Sequence, residues 1–100
     1  MKILLCCAAG MSTSLLVENM KKVATERGLE TEIVAVAVNE FEEAVGEYEV
    51  ALLGPQVRYK LPAFKQIGAD KGVPVDVIDS VAYGTVNGPK VLDQALALKK

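Results

Sequence analysis

Lys2-Ile3-Leu4-Leu5-Cys6-Cys7-Ala8-Ala9-Gly10-Met11-Ser12-Thr13-Ser14 passes from an unbroken apolar run, through two adjacent cysteines, into small residues, a glycine and a cluster of hydroxyls. An apolar run of this length that stops at Gly10 is what a central strand needs when both faces of a parallel sheet are covered. The next stretch changes period. From Ser14 to Arg27, Leu16, Met20, Val23 and Ala24 share one helical face, while Glu18, Lys21, Lys22, Thr25 and Glu26 lie mostly on the other. Gly28 then stands where a helix commonly ends.

The same alternation continues outward. Thr31 to Val38 is rich in β-branched residues and reads as a second strand, after which Asn39 and Glu42 have the spacing of a capping box for a short helix ending near Gly46. Val50 to Leu53 is a third strand, broken by Gly54-Pro55-Gln56. Val57 to Ile67 has helical character, with Pro62 either kinking it or marking a restart, and both options stay open. The turn Gly72-Val73-Pro74 leads to a fourth strand, Val75 to Ile78, and Asn87-Gly88-Pro89 introduces a last helix with Val91, Leu92, Ala95 and Leu96 inward. Alternating elements of this size predict an α/β fold, a three-layer, doubly wound, four-stranded parallel sheet in the order 2-1-3-4. In such a sheet a ligand sits beyond the carboxyl ends of the first and third strands, where Cys7 to Ser14 and Gly54 to Tyr59 form the loops.

Composition narrows the function. The 100 residues, 51% hydrophobic, are expected to form one domain over residues 1–100 that buries about 60–70% of the unfolded chain's surface. The net charge is −2 and no basic face is recognisable, so nucleic acid is not an expected partner. Ile3 to Ala9 is about half a membrane span, with no cleavage region before Gly10, so a cytoplasmic protein without direct membrane insertion is expected. Cys6 and Cys7 are the only cysteines and, as neighbours on a strand, should point to opposite faces, which disfavours a disulfide between them. With no histidine, the common zinc sites cannot be assembled, and neither metal nor cofactor is expected.

What remains is thiol chemistry. Small side chains at Ala8, Ala9 and Gly10 let backbone N–H groups approach an anion, the following helix N-terminus adds partial positive charge, and Ser12, Thr13 and Ser14 offer hydroxyl donors. The same field favours the thiolate of a cysteine placed there. Cys7 is therefore the candidate nucleophile, whereas Cys6, one residue inside the strand, reads as core.

C-A-A-G-M-S-T-S-L-L-V from Cys7, A-L-L-G-P-Q-V-R-Y from Ala51 and V-I-D-S-V-A-Y-G from Val77 together resemble the lactose, cellobiose and chitobiose group of phosphotransferase-system (PTS) IIB components. The resemblance spans nearly the whole chain and implies a flavodoxin-like fold. It also implies that Cys7 becomes a phosphocysteine, receiving phosphate from a phosphohistidine on a IIA partner and passing it to a β-disaccharide such as cellobiose, chitobiose or lactose on a membrane IIC partner. The loop Ala8-Ala9-Gly10-Met11-Ser12-Thr13-Ser14 would hold the phosphoryl group. Gly54, Pro55, Gln56, Asp79 and Tyr83 are expected to line the site, with a capping role for Asp79 ahead of Ser80 to Tyr83, and Arg58 is a candidate on the partner-facing surface. The loop is also similar to the C-x5-R signature of low-molecular-weight tyrosine phosphatases, but Thr13 occupies the arginine position. A phosphatase-like or arsenate-reductase-like thiol enzyme is thus the alternative. It lacks both the guanidinium clamp and extra cysteines for redox cycling, and a mononucleotide or flavin module lacks aromatics for ring stacking.

Overall fold

Strand β1 (Lys2–Cys7) lies inside a four-stranded parallel sheet, paired with β2 (Glu32–Ala37) on one side and β3 (Val50–Leu53) on the other, and β4 (Val75–Val77) flanks β3. The order is the expected 2-1-3-4. The structure is a computed structural model that describes residues 1–7 and 10–99, with residues 10–13 in backbone only. Five α-helices accompany the strands among the described residues: α1 (Gly10–Glu26), α2 (Phe41–Ala44), α3 (Leu61–Asp70), α4 (Ser80–Gly84) and α5 (Gly88–Leu98).

Period-two alternation along β1 divides the core into two layers. Ile3 and Leu5 pack with Leu16, Met20 and Ala24 of α1, Ala82 of α4, and Val91, Leu92 and Ala95 of α5. Leu4 and Cys6 face the other way, into a cluster with Phe41 of α2, Val45, Val57 and Phe64 of α3. Phe41 and Phe64 stack nearly parallel there, with ring centroids 4.1 Å apart. Each large side chain removed from water in this way contributes roughly 1.5–3 kcal/mol before conformational entropy is charged against it. The two inner strands, β1 and β3, are buried on both faces apart from Lys2 at the start of β1.

Several boundaries differ from the sequence reading. Helix α1 begins at Gly10 rather than Ser14, because nothing between Gly10 and Thr13 forbids helical dihedrals and the hydroxyl residues cost little within a first turn. The expected Asn39–Glu42 box does not form. The strand stops at Ala37, so the residue able to reach back is Glu40, whose Oε1 accepts the Ala37 N–H at 3.1 Å. The short helix α2 then runs on through a 3₁₀ turn, Val45–Glu47, close to the expected end at Gly46. At the third crossover Pro62 marks a restart: a 3₁₀ stretch, Pro55–Lys60, interrupted at Val57 (φ −116°), precedes α3, and Pro62 sits in the first turn of α3, where its missing N–H is harmless. Helix α3 extends past Ile67 because Gly68 allows the backbone of the following turn to close in. A Cβ on Gly68 would lie 2.4 Å from the Val73 carbonyl oxygen.

The end of the sheet away from Cys7 carries a pH-sensitive contact. The Glu49 carboxylate accepts a hydrogen bond from the Lys99 ammonium and another, at 2.8 Å, from the Lys2 backbone N–H. Lys99 first, and Lys2 next, hold this carboxyl below its usual range. A depressed folded-state value stabilises the fold at pH above the unfolded value, about 4.3, and that contribution disappears as pH falls through the lower folded value. The unfolding midpoint should therefore drop as pH is lowered below about 4, and Glu49→Gln should flatten that dependence. Thermal melts of both proteins between neutral and acid pH check this, with identical acid slopes as the contrary result.

Candidate functional site

The carboxyl ends of β1 and β3 meet at Cys7 and Gly54. The Gly54 N–H donates to the Cys6 carbonyl at 2.8 Å, continuing the ladder one residue past the end of β3. A Cβ on Gly54 would lie 3.4 Å from Cys7 Cβ and 2.4 Å from Gln56 Oε1. Cys7, Gly54 and the Gln56 carboxamide thus converge on one small space at the topological switch point of the sheet. Helix α1 starts three residues after Cys7, within about 11 Å of chain, so its N-terminal end belongs to the same end of the molecule.

The two thiols divide as strand geometry requires, and no disulfide joins them. Cys6 is 1% exposed and sits in the α2/α3 core layer, whereas Cys7 is 4% exposed and, as the next residue of the strand, alternates to the opposite face. Burial, reinforced by the adjacent Cys7, pushes the Cys6 thiol up to about 12. Cys6 therefore stays protonated near neutrality.

The remaining expected residues arrive from β4 and its continuation. The Ile78 N–H bonds to the Leu53 carbonyl at 2.8 Å, which carries the chain alongside β3 as far as Asp79. Asp79 caps α4, its Oδ2 accepting the Ala82 N–H at 2.9 Å, as its place ahead of Ser80 predicts. That bond first, and Lys90 secondarily, hold the Asp79 carboxyl below its usual range. From α4, the half-buried Tyr83 places its hydroxyl 2.9 Å from Gln56 Nε2, tying the segment after β3 to the segment after β4. Pro55 opens the 3₁₀ stretch between Gly54 and Gln56, and Arg58 lies exposed further along it. In the Cys7–Ser14 loop, Gly10, Met11, Ser12 and Thr13 form the start of α1 in backbone and Ser14 is exposed, while Ala8 and Ala9 lie outside the described residues.

Gln94 escaped the sequence reading. Its carboxamide spans the end of β4, accepting the Asp79 N–H at 3.1 Å and donating to the Val77 carbonyl at 2.7 Å. The available signal was a glutamine at helical spacing between Val91 and Leu98, on a stripe otherwise apolar. Among the described residues no cluster of His, Cys, Asp and Glu could hold a metal ion, and no helix is long and apolar enough to cross a membrane.

The family described as "PTS system, Lactose/Cellobiose specific IIB subunit" matches residues 2–94. The chain belongs to this IIB family. It is accordingly a phosphotransferase component of a sugar-transport system. The IIB chain is 41% identical over 97 residues to the oligo-beta-mannoside-specific EIIB component of Bacillus subtilis, covering 97% of this chain and 94% of that protein. It is 42% identical over 98 residues to the galactose-specific EIIB component of Lactococcus lactis subsp. cremoris, covering 93% and 91%. The solution structure of a cellobiose-specific IIB component from Borrelia burgdorferi is 40% identical, with TM-score 0.82, over 99% of the IIB chain and 91% of the other. The lactose-specific IIB domain of Streptococcus pneumoniae shares the fold at 20% identity, with TM-score 0.89 over 100% and 98% of the two chains.

Proposed function

We propose that Cys7 of this IIB chain carries a phosphoryl group between two partners, taking it from a phosphohistidine on a IIA component and giving it to a sugar bound by a membrane IIC component. The observation that carries this reading is the setting of Cys7. It is a cysteine at the carboxyl end of the central strand, three residues before the N-terminus of α1 and beside Gly54, in a chain of the IIB family. In the first transfer the Cys7 thiolate attacks phosphorus, the S–P bond forms as the N–P bond breaks, and the imidazole leaves with the electron pair. In the second a sugar hydroxyl oxygen attacks, its proton passes to a base on the partner, and Cys7 leaves as thiolate with the S–P electrons. Backbone N–H groups and hydroxyls of Ala8 to Ser14 would hold the phosphoryl oxygens, and Gly54, Pro55, Gln56, Asp79 and Tyr83 would line the other side.

Thr13 in place of a loop arginine supports a carrier over a phosphatase, because the charge of the transferring group is left for partners to complete. Relatives at 41–42% identity are named for oligo-beta-mannoside, galactose and cellobiose, which fits a carrier that does not itself read the sugar. A β-disaccharide such as cellobiose, chitobiose or lactose is the cargo class we assign. We read residues 1–100 as one IIB domain working in the cytoplasm, where its donor is found. Intact-mass analysis after incubation with a phosphorylated IIA component tests the reading. One added phosphate mapped to Cys7 is expected, whereas an unmodified chain, or phosphate on another residue, contradicts it.

A further inference from the structure

Gln56 and Tyr83 stand 27 positions apart in sequence, yet they form one hydrogen-bonded pair at the rim of Cys7. Gln56 is exposed, and its carboxamide folds back over Gly54. A solvated glutamine loses rotamer freedom when held in this way, and Nε2 gives up water to bond the Tyr83 hydroxyl. The consequence is a polar amide aimed at the space Gly54 leaves open, next to Cys7 Cβ. A carboxamide has a donor end and an acceptor end, and a tyrosine hydroxyl can accept from the one or donate to the other. A half-turn of the amide therefore keeps a Gln56–Tyr83 bond while presenting Nε2 to the Cys7 side.

We propose that the Gln56 carboxamide donates a hydrogen bond to the phosphoryl group on Cys7, and that Tyr83 is the positioning residue that holds Gln56 over Gly54 for this purpose. The inference rests on the carrier reading of Cys7. In the resting state Oε1 faces the site and Nε2 bonds Tyr83. When phosphate arrives, the amide turns, Nε2 faces a phosphoryl oxygen, and the Tyr83 hydroxyl donates to Oε1. A neutral amide suits a carrier, since it stabilises the bound anion without the full charge of an arginine that would resist onward transfer. Gly54 is part of the arrangement. Its dihedrals (φ −62°, ψ 147°) are open to alanine, but the added Cβ would displace Oε1 from 2.4 Å.

The test uses the full chain and a phosphorylated IIA donor, with phosphocysteine formation followed by rapid quench and intact mass. Gln56→Ala should slow acceptance by about tenfold, the scale of one hydrogen bond to a charged group, and Gln56→Glu more, because it adds negative charge beside the phosphoryl. Tyr83→Phe and Gly54→Ala should each slow it several-fold in correctly folded protein. Adding Tyr83→Phe to Gln56→Ala should cost less than the sum of the two single losses, since Tyr83 acts on the site through Gln56. In the unaltered protein one glutamine side-chain amide pair should shift on phosphorylation, and that pair should be missing from the spectrum of Gln56→Ala. Wild-type rates in all four single variants, or no amide shift, would overturn the inference while Cys7 remains the carrier. Absence of phosphocysteine in the unaltered chain would overturn the carrier reading and this inference together.

Discussion

Cys7→Ser is expected to abolish phosphoryl acceptance, lowering the rate by more than about a thousandfold, which corresponds to at least about 4 kcal/mol in the barrier. A serine hydroxyl is almost wholly protonated near neutrality, and no histidine exists in the chain to serve as its base. The fold should survive, because the exchange changes one atom at the end of β1. Cys6→Ser should differ in kind. It puts a hydroxyl among Leu4, Phe41, Ala51 and Leu53, at a cost of roughly 1–3 kcal/mol, and leaves the acceptor in place. Incubating both variants with labelled, phosphorylated IIA separates them. Label retained by Cys7→Ser and lost by Cys6→Ser would reverse the assignment of the two thiols, in opposition to the value near 12 that keeps Cys6 protonated.

That the two cysteines could be told apart from sequence follows from the shortest-range rule available, the two-residue period of a strand. Ile3, Leu5 and Cys7 had to share one face and Leu4 and Cys6 the other, whatever covered them. Strand β3 was equally legible. Val50 to Leu53 is an apolar run closed by Gly54-Pro55, and all four side chains are buried. Helix starts were harder, because hydroxyl residues serve both as caps and as ordinary first-turn residues. The sequence places Ser12, Thr13 and Ser14 in a loop, whereas α1 already runs from Gly10. The Asn39–Glu42 spacing misled for a related reason: cap position is fixed by where the preceding strand lets go, and β2 releases the chain at Ala37.

The candidate site was legible where its residues are contiguous in sequence and much less where they are not. Cys7 and the residues after it are contiguous, so a motif can carry them. Gln56–Tyr83 and Gln94–Asp79 join residues from different crossovers, and no local spacing predicts which glutamine will meet which partner. Asp79 is an intermediate case. Its capping of α4 was readable from the residues that follow it, but its bond to Gln94 through the backbone N–H needed the packed position of α5.

The second large effect is expected at Gly88, far from the thiols in sequence and central to how α5 meets α1. The Gly88 N–H donates to Asn19 Oδ1 at 2.8 Å, fixing the first turn of α5 against the middle of α1. A Cβ on Gly88 would lie 2.0 Å from that Oδ1, 2.8 Å from Asn19 Cγ and 2.9 Å from the Asn19 backbone carbonyl carbon. Side-chain rotation can relieve the first two contacts at the loss of the hydrogen bond. The third involves backbone, so α5 must move away from α1 and disturb Val91, Leu92 and Ala95 in the layer over β1 and β3. Overpacking of this kind costs about 1–3 kcal/mol, and the hydrogen bond adds about 1. Gly88→Ala should therefore lower the unfolding midpoint by about 8–30 °C, using about 4–8 °C per kcal/mol for a domain of this size. Asn19→Ala alone should lower it by less than about 10 °C, because the Gly88 N–H keeps a second acceptor in the Val86 carbonyl at 3.0 Å. The double variant should be more stable than Gly88→Ala but less stable than Asn19→Ala, since truncating Asn19 removes the side-chain clash and leaves the backbone one. Thermal melts of the three variants decide it. Strict additivity would mean that the two helices separate without Asn19 being the obstacle, and would refute the close approach as the reason for glycine at this position.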